Sequence, residues 1–351
     1  MVDSKIKLPK IPEFDNAAAA RARLRQDTLT KPPGSLGRLE PLSIQLAGIY
    51  GSSKFSVANK TVIVMAADHG VTEEGVSAFP ASVTRQMVMN FLHGGAAINV
   101  LARQVGAKVV VVDMGVAADF DRSDGLLQHK IAHGTRNFGK GPAMSREEAE
   151  QGIQTGIRIM ESEIGAGLDL VALGEMGIGN STAASAITAV ITGQPVSEVT
   201  GRGTGLDDHS LQHKIEVIQK AIEVNHPDPQ NALDVLIKLG GFEIAGLAGV
   251  ALSAASHRIP VVMDGFISSS AALLAYKLDP AIKPYLLASH LSVEKGHRAI
   301  LDHIGLEPLL NLDLRLGEGT GAVLVFNLIE AAARILNEMS TFDEAGVDNK
   351  E

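Results

Sequence analysis

Thr61-Val62-Ile63-Val64-Met65-Ala66 is a short, uninterrupted apolar run rich in β-branched residues, and it stops at Ala67-Asp68-His69-Gly70. Four similar runs follow. They are Lys108 to Val112 ending at Asp113, Leu168 to Leu173 ending near Glu175, Pro260 to Met263 ending at Asp264, and Tyr285 to Ala288 ending at Ser289-His290. Helical stretches separate them. Continuous apolar strands alternating with helices predict an α/β fold, a buried parallel sheet with helices on both faces. In such sheets ligands bind outside the carboxyl ends of the strands. A mouth ringed by Asp68, Asp113, Glu175, Asp264 and His290 is therefore expected, with about half of these polar ends serving only to cap helices or tie loops.

The helices have readable boundaries. Asp15 is an N-cap candidate for an Ala/Arg-rich helix to about Leu29, stopped by Lys31-Pro32-Pro33-Gly34-Ser35. A second helix runs from about Leu36 to Tyr50, and the two make a candidate small helical lobe ahead of the first strand. Ser145-Arg146-Glu147-Glu148 is a capping box opening a helix to about Ile164. Residues 208–225, 229–239 and 242–256 also read as helical.

The 351 residues can fold as one large domain with an appendage or as two domains. A net charge of −9 and only 4% aromatics, with no Trp, argue against a nucleic-acid partner. The absence of Cys removes disulfides, thiolate metal sites and a Cys nucleophile. No apolar run reaches the roughly 18 uninterrupted residues of a membrane span, and Met1-Val2-Asp3-Ser4-Lys5 lacks a signal-peptide profile. A soluble, cytoplasmic protein without a membrane partner is the expectation.

Three glycine-rich stretches carry the chemistry. Leu316-Gly317-Glu318-Gly319-Thr320-Gly321 places one carboxylate among glycines, just before an apolar helical run from Val323 to Leu336. Glycine on both sides lets a ligand approach closely, and Glu318 can act as a base. Gly174-Glu175-Met176-Gly177-Ile178-Gly179-Asn180-Ser181-Thr182 joins a strand to a helix, with Asn180 or Ser181 as the expected cap, and suits a phosphate. It is a poor dinucleotide fingerprint, because Thr182 stands where the third glycine belongs. Gly201-Arg202-Gly203-Thr204-Gly205 enters the helix bearing Lys214, a second wall for one phosphate. His209 and His213 have zinc-compatible spacing but lack the accompanying Glu, so a solvated helix face is the preferred reading. Asp68-His69 reads as a mouth-shaping turn. Periodicity alone assigns Phe79 and Met87 to ordinary packing.

Taken together, Lys31-Pro32-Pro33-Gly34-Ser35-Leu36-Gly37-Arg38-Leu39-Glu40, Ala67-Asp68-His69-Gly70-Val71, the 174–182 stretch and the 316–321 stretch stand in the order of one family. The chain resembles the nicotinate-nucleotide–dimethylbenzimidazole phosphoribosyltransferases over essentially its whole length. That resemblance implies transfer of phosphoribose from nicotinate mononucleotide to 5,6-dimethylbenzimidazole in the making of the cobalamin lower ligand. It implies a homodimer with no cofactor or metal, a Rossmann-like large domain over 56–334, and a small helical domain from 1–55 plus 335–351.

By the same resemblance Glu318 is the general base and Glu175 assists it. Gly177, Gly179, Asn180, Ser181, Gly203 and Lys214 surround the nucleotide and its phosphate. Phe79, Met87 and Leu316 line the aromatic-base pocket, and Asp264 and Ser292 support Glu318. Relatives often carry polar residues where this chain has Phe79 and Met87, which puts the choice of base at issue.

The chemistry suits one base. The departing pyridinium nitrogen is already cationic and needs no general acid, unlike a glycosidase leaving group. An ionised Glu175 is expected to stabilise positive charge on the ribose. Two other readings compete on sequence alone: an NAD-dependent oxidoreductase, and a catalytically silent nucleotide-binding regulator.

Overall fold

The computed structural model describes residues 6–121, 125–203 and 205–349. The segment read for a leader, Met1 to Lys5, and Thr204 of the third glycine-rich loop lie outside them. Among the described residues one sheet forms from β1 (Lys60–Ala67), β2 (Lys108–Gly115), β3 (Leu126–Gln128), β4 (Leu170–Met176), β5 (Val261–Met263) and β6 (Leu286–Ala288). The order is β3-β2-β1-β4-β5-β6, and every neighbouring pair is parallel. This is the doubly wound arrangement, in which the order reverses between β1 and β4 and a crevice opens above their carboxyl ends.

β1 is buried along its whole length. Its side chains alternate between two cores, as a strand's period of two requires. Ile63 and Met65 join Ile153, Leu247 and Leu273 on one face. Val62, Val64 and Ala66 join Leu46, Val88, Phe91 and Phe326 on the other. That double burial explains why the run is apolar throughout and not alternating. The edge strand β3 went unforeseen because it is three residues long with only Leu126 buried.

The helical expectations hold with small shifts. Asp15 accepts from Ala18 N ahead of the helix Asn16–Thr28. Ser145 and Glu148 complete a reciprocal capping box for Arg146–Gly165. The 229–239 helix begins later, at Ala232, because Asn231 takes the cap and accepts from Asp234 N.

Both ends of the chain meet. The helix Leu39–Tyr50 packs on Asn16–Thr28 and on Phe326–Glu338, with Ala22, Ala47 and Leu336 buried between them. Arg25 ties the ends by donating to the carbonyls of Leu336 and Met339 at 2.7 and 3.0 Å. Leu42, Leu46, Phe326 and Ile329 of the same helices also reach the sheet. The segment Thr320–Glu338 is long and apolar enough to cross a membrane by length and composition. Its Ala322, Val323, Phe326, Ile329 and Ala332 are spent on this core.

Candidate active site

Glu318 sits in an unusual turn. Its φ is 63°, between Gly317 at 86° and Gly319 at 93°. A left-handed glutamate costs on the order of 1 kcal/mol or more and persists only where its surroundings hold it. Asp264, just past the end of β5, does much of the holding. Its carboxylate accepts from Gly319 N at 3.1 Å and Ala322 N at 3.0 Å. Gly174 in β4 makes the close approach possible, because a Cβ there would lie 2.5 Å from the Glu318 carbonyl oxygen. The side chain then reaches the start of the helix Ala97–Gln104, where Oε2 accepts from Ile98 N at 3.1 Å. A helix N-terminus favours the ionised carboxylate.

Glu175 is one residue from the end of β4, level with Met65 of β1. Asn180 Nδ2 donates to its Oε2 at 2.5 Å. Gly317 lies so close that a Cβ on it would stand 2.2 Å from Glu175 Oε1. The two carboxylates therefore face one cleft of about 430 Å³, which is also lined by Phe79, Met87, Leu316 and Ser181. Phe79 and Leu316 are about half exposed at its mouth. Apolar walls with a few convergent polar groups suit a flat aromatic ligand.

The cleft lining also offers groups that suit an anion. Ser181 lies in the first turn of the helix Asn180–Thr192, and Lys214 Nζ donates to its Oγ at 2.9 Å. Gly203 stands beside both, since a Cβ on it would lie 2.9 Å from Ser181 Oγ and 3.3 Å from Lys214 Nζ. Gly177 and Asn180 also line the cleft. Gly179 is the cap of this helix, at φ 93°, in place of the expected Asn180 or Ser181. It faces Thr72 and His69, so it shapes the turn from behind.

Residues 11–347 match the family model described as Phosphoribosyltransferase. The chain is 58% identical over 343 residues to the nicotinate-nucleotide–dimethylbenzimidazole phosphoribosyltransferase of Roseiflexus sp. (strain RS-1), covering 98% of this chain and 97% of that one. It is 60% identical to the enzyme of the same name from Chloroflexus aggregans, covering 96% of each. The crystal structure of the Thermus thermophilus protein of that name superposes with a TM-score of 0.91 at 46% identity, over 96% of this chain and all of that one. The chain belongs to the nicotinate-nucleotide–dimethylbenzimidazole phosphoribosyltransferase family. It is a phosphoribosyltransferase.

The polar strand ends of this phosphoribosyltransferase divide sharply. Glu175 lines the cleft. Asp264 braces the Glu318 turn from beneath. His290 packs against Gly321 behind that turn, and burial pushes it down to about 4, so it is neutral. Asp113 pairs with Lys130 at 3.0 Å and accepts from Gly115 N and Val116 N. Asp68 accepts from Ala117 N at 2.8 Å. Ser292, expected to support Glu318, accepts from Glu294 N at 3.3 Å. On the helix Asp208–Asn225, His213 bonds the Glu74 carbonyl at 2.6 Å.

Burial sets the charges. It pushes Glu175 up to about 8, and the nearby Asp264 and Glu243 carboxylates push the same way. The ionised Glu175 expected from sequence is thus corrected to a protonated one at neutral pH. Burial also raises Glu318, against the Ile98 N–H and with help from the Asp264 charge. It pushes Asp264 up to about 6 despite its backbone donors and Lys214 down to about 8.

Sequence reasoning missed Glu243, which opens the apolar helix Phe242–Ser256 and bonds His69 at 2.7 Å. A lone carboxylate at the head of an otherwise apolar helix was its available signal. It also missed Glu294 and Arg315, which line the cleft.

The Glu175 shift has a consequence for stability. A carboxyl whose folded pKa is raised costs nothing below its ordinary 4.5, and stability is lost as pH climbs from there through about 8. Glu175→Gln removes that loss. Its melting temperature should rise relative to the wild type across this window, reaching on the order of a few kcal/mol of relief at the alkaline end. A difference that stays flat with pH would mean Glu175 is ionised throughout.

Proposed function

We propose that the chain transfers phosphoribose from nicotinate mononucleotide to 5,6-dimethylbenzimidazole or a related base, with inversion at C1′ and Glu318 as general base. The products are α-ribazole 5′-phosphate, used for the cobalamin lower ligand, and nicotinate. One observation carries this reading. Glu318 stands in a cleft with an apolar wall suited to the base, and the same cleft is lined by Ser181 and Gly203, with Lys214 bonded to Ser181, groups that suit a phosphate.

The atoms balance without further reactants. One nitrogen of the benzimidazole attacks C1′, the bond from C1′ to the pyridinium nitrogen breaks, and its electron pair goes to nicotinate. The N–H on the other benzimidazole nitrogen turns acidic, and Glu318 takes that proton. Adjacent carboxyls whose environments push them apart divide acid and base roles. Glu175, protonated by burial and held by Asn180, leaves Glu318 as the member of the pair that carries charge and accepts the proton. The helix start at Ile98 stabilises the ionised form of Glu318.

Exposed Phe79 and Leu316, with Met87, favour an apolar bicyclic base over a polar one. Incubation with nicotinate mononucleotide and a panel of bases, with products identified by mass, tests the reading. Release of nicotinate and formation of a riboside phosphate, without a change in nicotinamide redox absorbance, is the expected result. A redox change, or binding without turnover, would overturn it. The proposal includes a cytoplasmic homodimer, which light scattering tests for the oligomeric state.

A further inference from the structure

Glu294 is a carboxylate that the reaction as derived does not use. It occupies the cap position of the helix Lys295–Ile304, yet its side chain makes no capping bond. It is buried, 7% exposed, and its Oε2 has no hydrogen-bond partner. A buried carboxylate oxygen left unpaired is costly unless something pairs with it, so the arrangement calls for a donor. The chain makes room for it: a Cβ on Gly201 would lie 1.9 Å from Oε2, so that carboxylate fills the place of a side chain at 201.

Its position says what the donor is. Glu294 lines the same cleft as Glu318, Ser181 and Gly203, and it also lines the adjoining chamber with Arg202, Lys295 and Arg315. Beside an anion cradle a carboxylate repels phosphate, so phosphate is not its ligand. Among the described residues no salt bridge joins it to Lys214, whose charge it influences only at longer range. A carboxylate next to a phosphate site is well suited to accept from sugar hydroxyls, which are neutral donors attached to the same molecule.

We propose that Glu294 binds the ribose diol of the nucleotide, accepting from its 2′- and 3′-hydroxyls, and so selects ribonucleotides over deoxyribonucleotides. The proposal rests on the phosphoribosyl-transfer reading, but its test is independent of turnover.

The test measures binding by calorimetry of nicotinate mononucleotide and its 2′,3′-dideoxy counterpart to the wild type and to Glu294→Ala. Hydrogen bonds from the diol to the carboxyl acceptor make the wild type prefer the ribonucleotide by roughly tenfold to a hundredfold. Glu294→Ala should weaken ribonucleotide binding to the dideoxy level and leave the dideoxy affinity nearly unchanged. If Glu294 merely supports the charge of Lys214, both ligands weaken by the same factor, and the proposal falls. It also falls if the wild type shows no preference or the variant keeps it. Glu294→Gln preserves volume, so a preference reduced but not abolished there is expected even if the alanine variant fails to fold. Discrimination by calorimetry in an enzyme that forms no riboside would sink the transfer reading and leave the diol site standing.

Discussion

Glu318→Gln is expected to lower kcat by roughly 10²- to 10⁴-fold, the usual range for loss of a general base, while the nucleotide KM changes little. The two effects separate because the proposed phosphate site, Ser181, Gly203 and Lys214, belongs to other segments of the chain. Gln keeps an oxygen able to accept from Ile98 N, so the turn held by Asp264 should survive the change. What disappears is the capacity to take a proton. Burial raises the Glu318 carboxyl above its ordinary 4.5, so the base form appears only above that value. The wild-type kcat/KM should therefore fall on the acid side with an apparent pKa above 4.5, and the Gln variant should lack that limb. Parallel losses of binding and rate would instead make Glu318 a structural residue.

Lys214→Ala is expected to raise the nucleotide KM by roughly tenfold to a hundredfold and to reduce kcat far less, as loss of a charge-assisted contact to phosphate requires. The ammonium is almost wholly buried and touches Ser181 Oγ. Lys214→Met, which preserves the buried volume, separates lost charge from a lost side chain. Burial brings this group down to about 8, so the wild-type KM should climb as pH passes that value and the cation is lost. The Met variant should show no such climb. A lower kcat at unchanged KM would remove Lys214 from the phosphate site.

The sequence was most legible where burial leaves a pattern. Five apolar runs ending in polar residues announced a parallel sheet and the end of it that bears the site, and Glu175 and Glu318 do share a cleft there. Leu126–Gln128 escaped because an edge strand of three residues leaves almost no pattern. Gly179 takes the cap position at φ 93°, so Asn180 is already the first helical residue, and its amide donates to Glu175. The protonation of Glu175 was not legible either, since Glu243 and Asp264 come from distant segments to crowd it. The same holds for Ile98, whose N–H meets Glu318 across 220 residues. Ser292, which the resemblance put in support of Glu318, is buried and accepts from the backbone of Glu294, a carboxylate that no motif marked.

The most direct measurement is the configuration at C1′ of the riboside formed from nicotinate mononucleotide and dimethylbenzimidazole, read by proton NMR. A single displacement driven by Glu318 gives the α-riboside phosphate with one nicotinate released per ribose, and at a greatly reduced rate in Glu318→Gln. A β-riboside, or an α-riboside formed equally fast without the Glu318 carboxylate, would contradict the account.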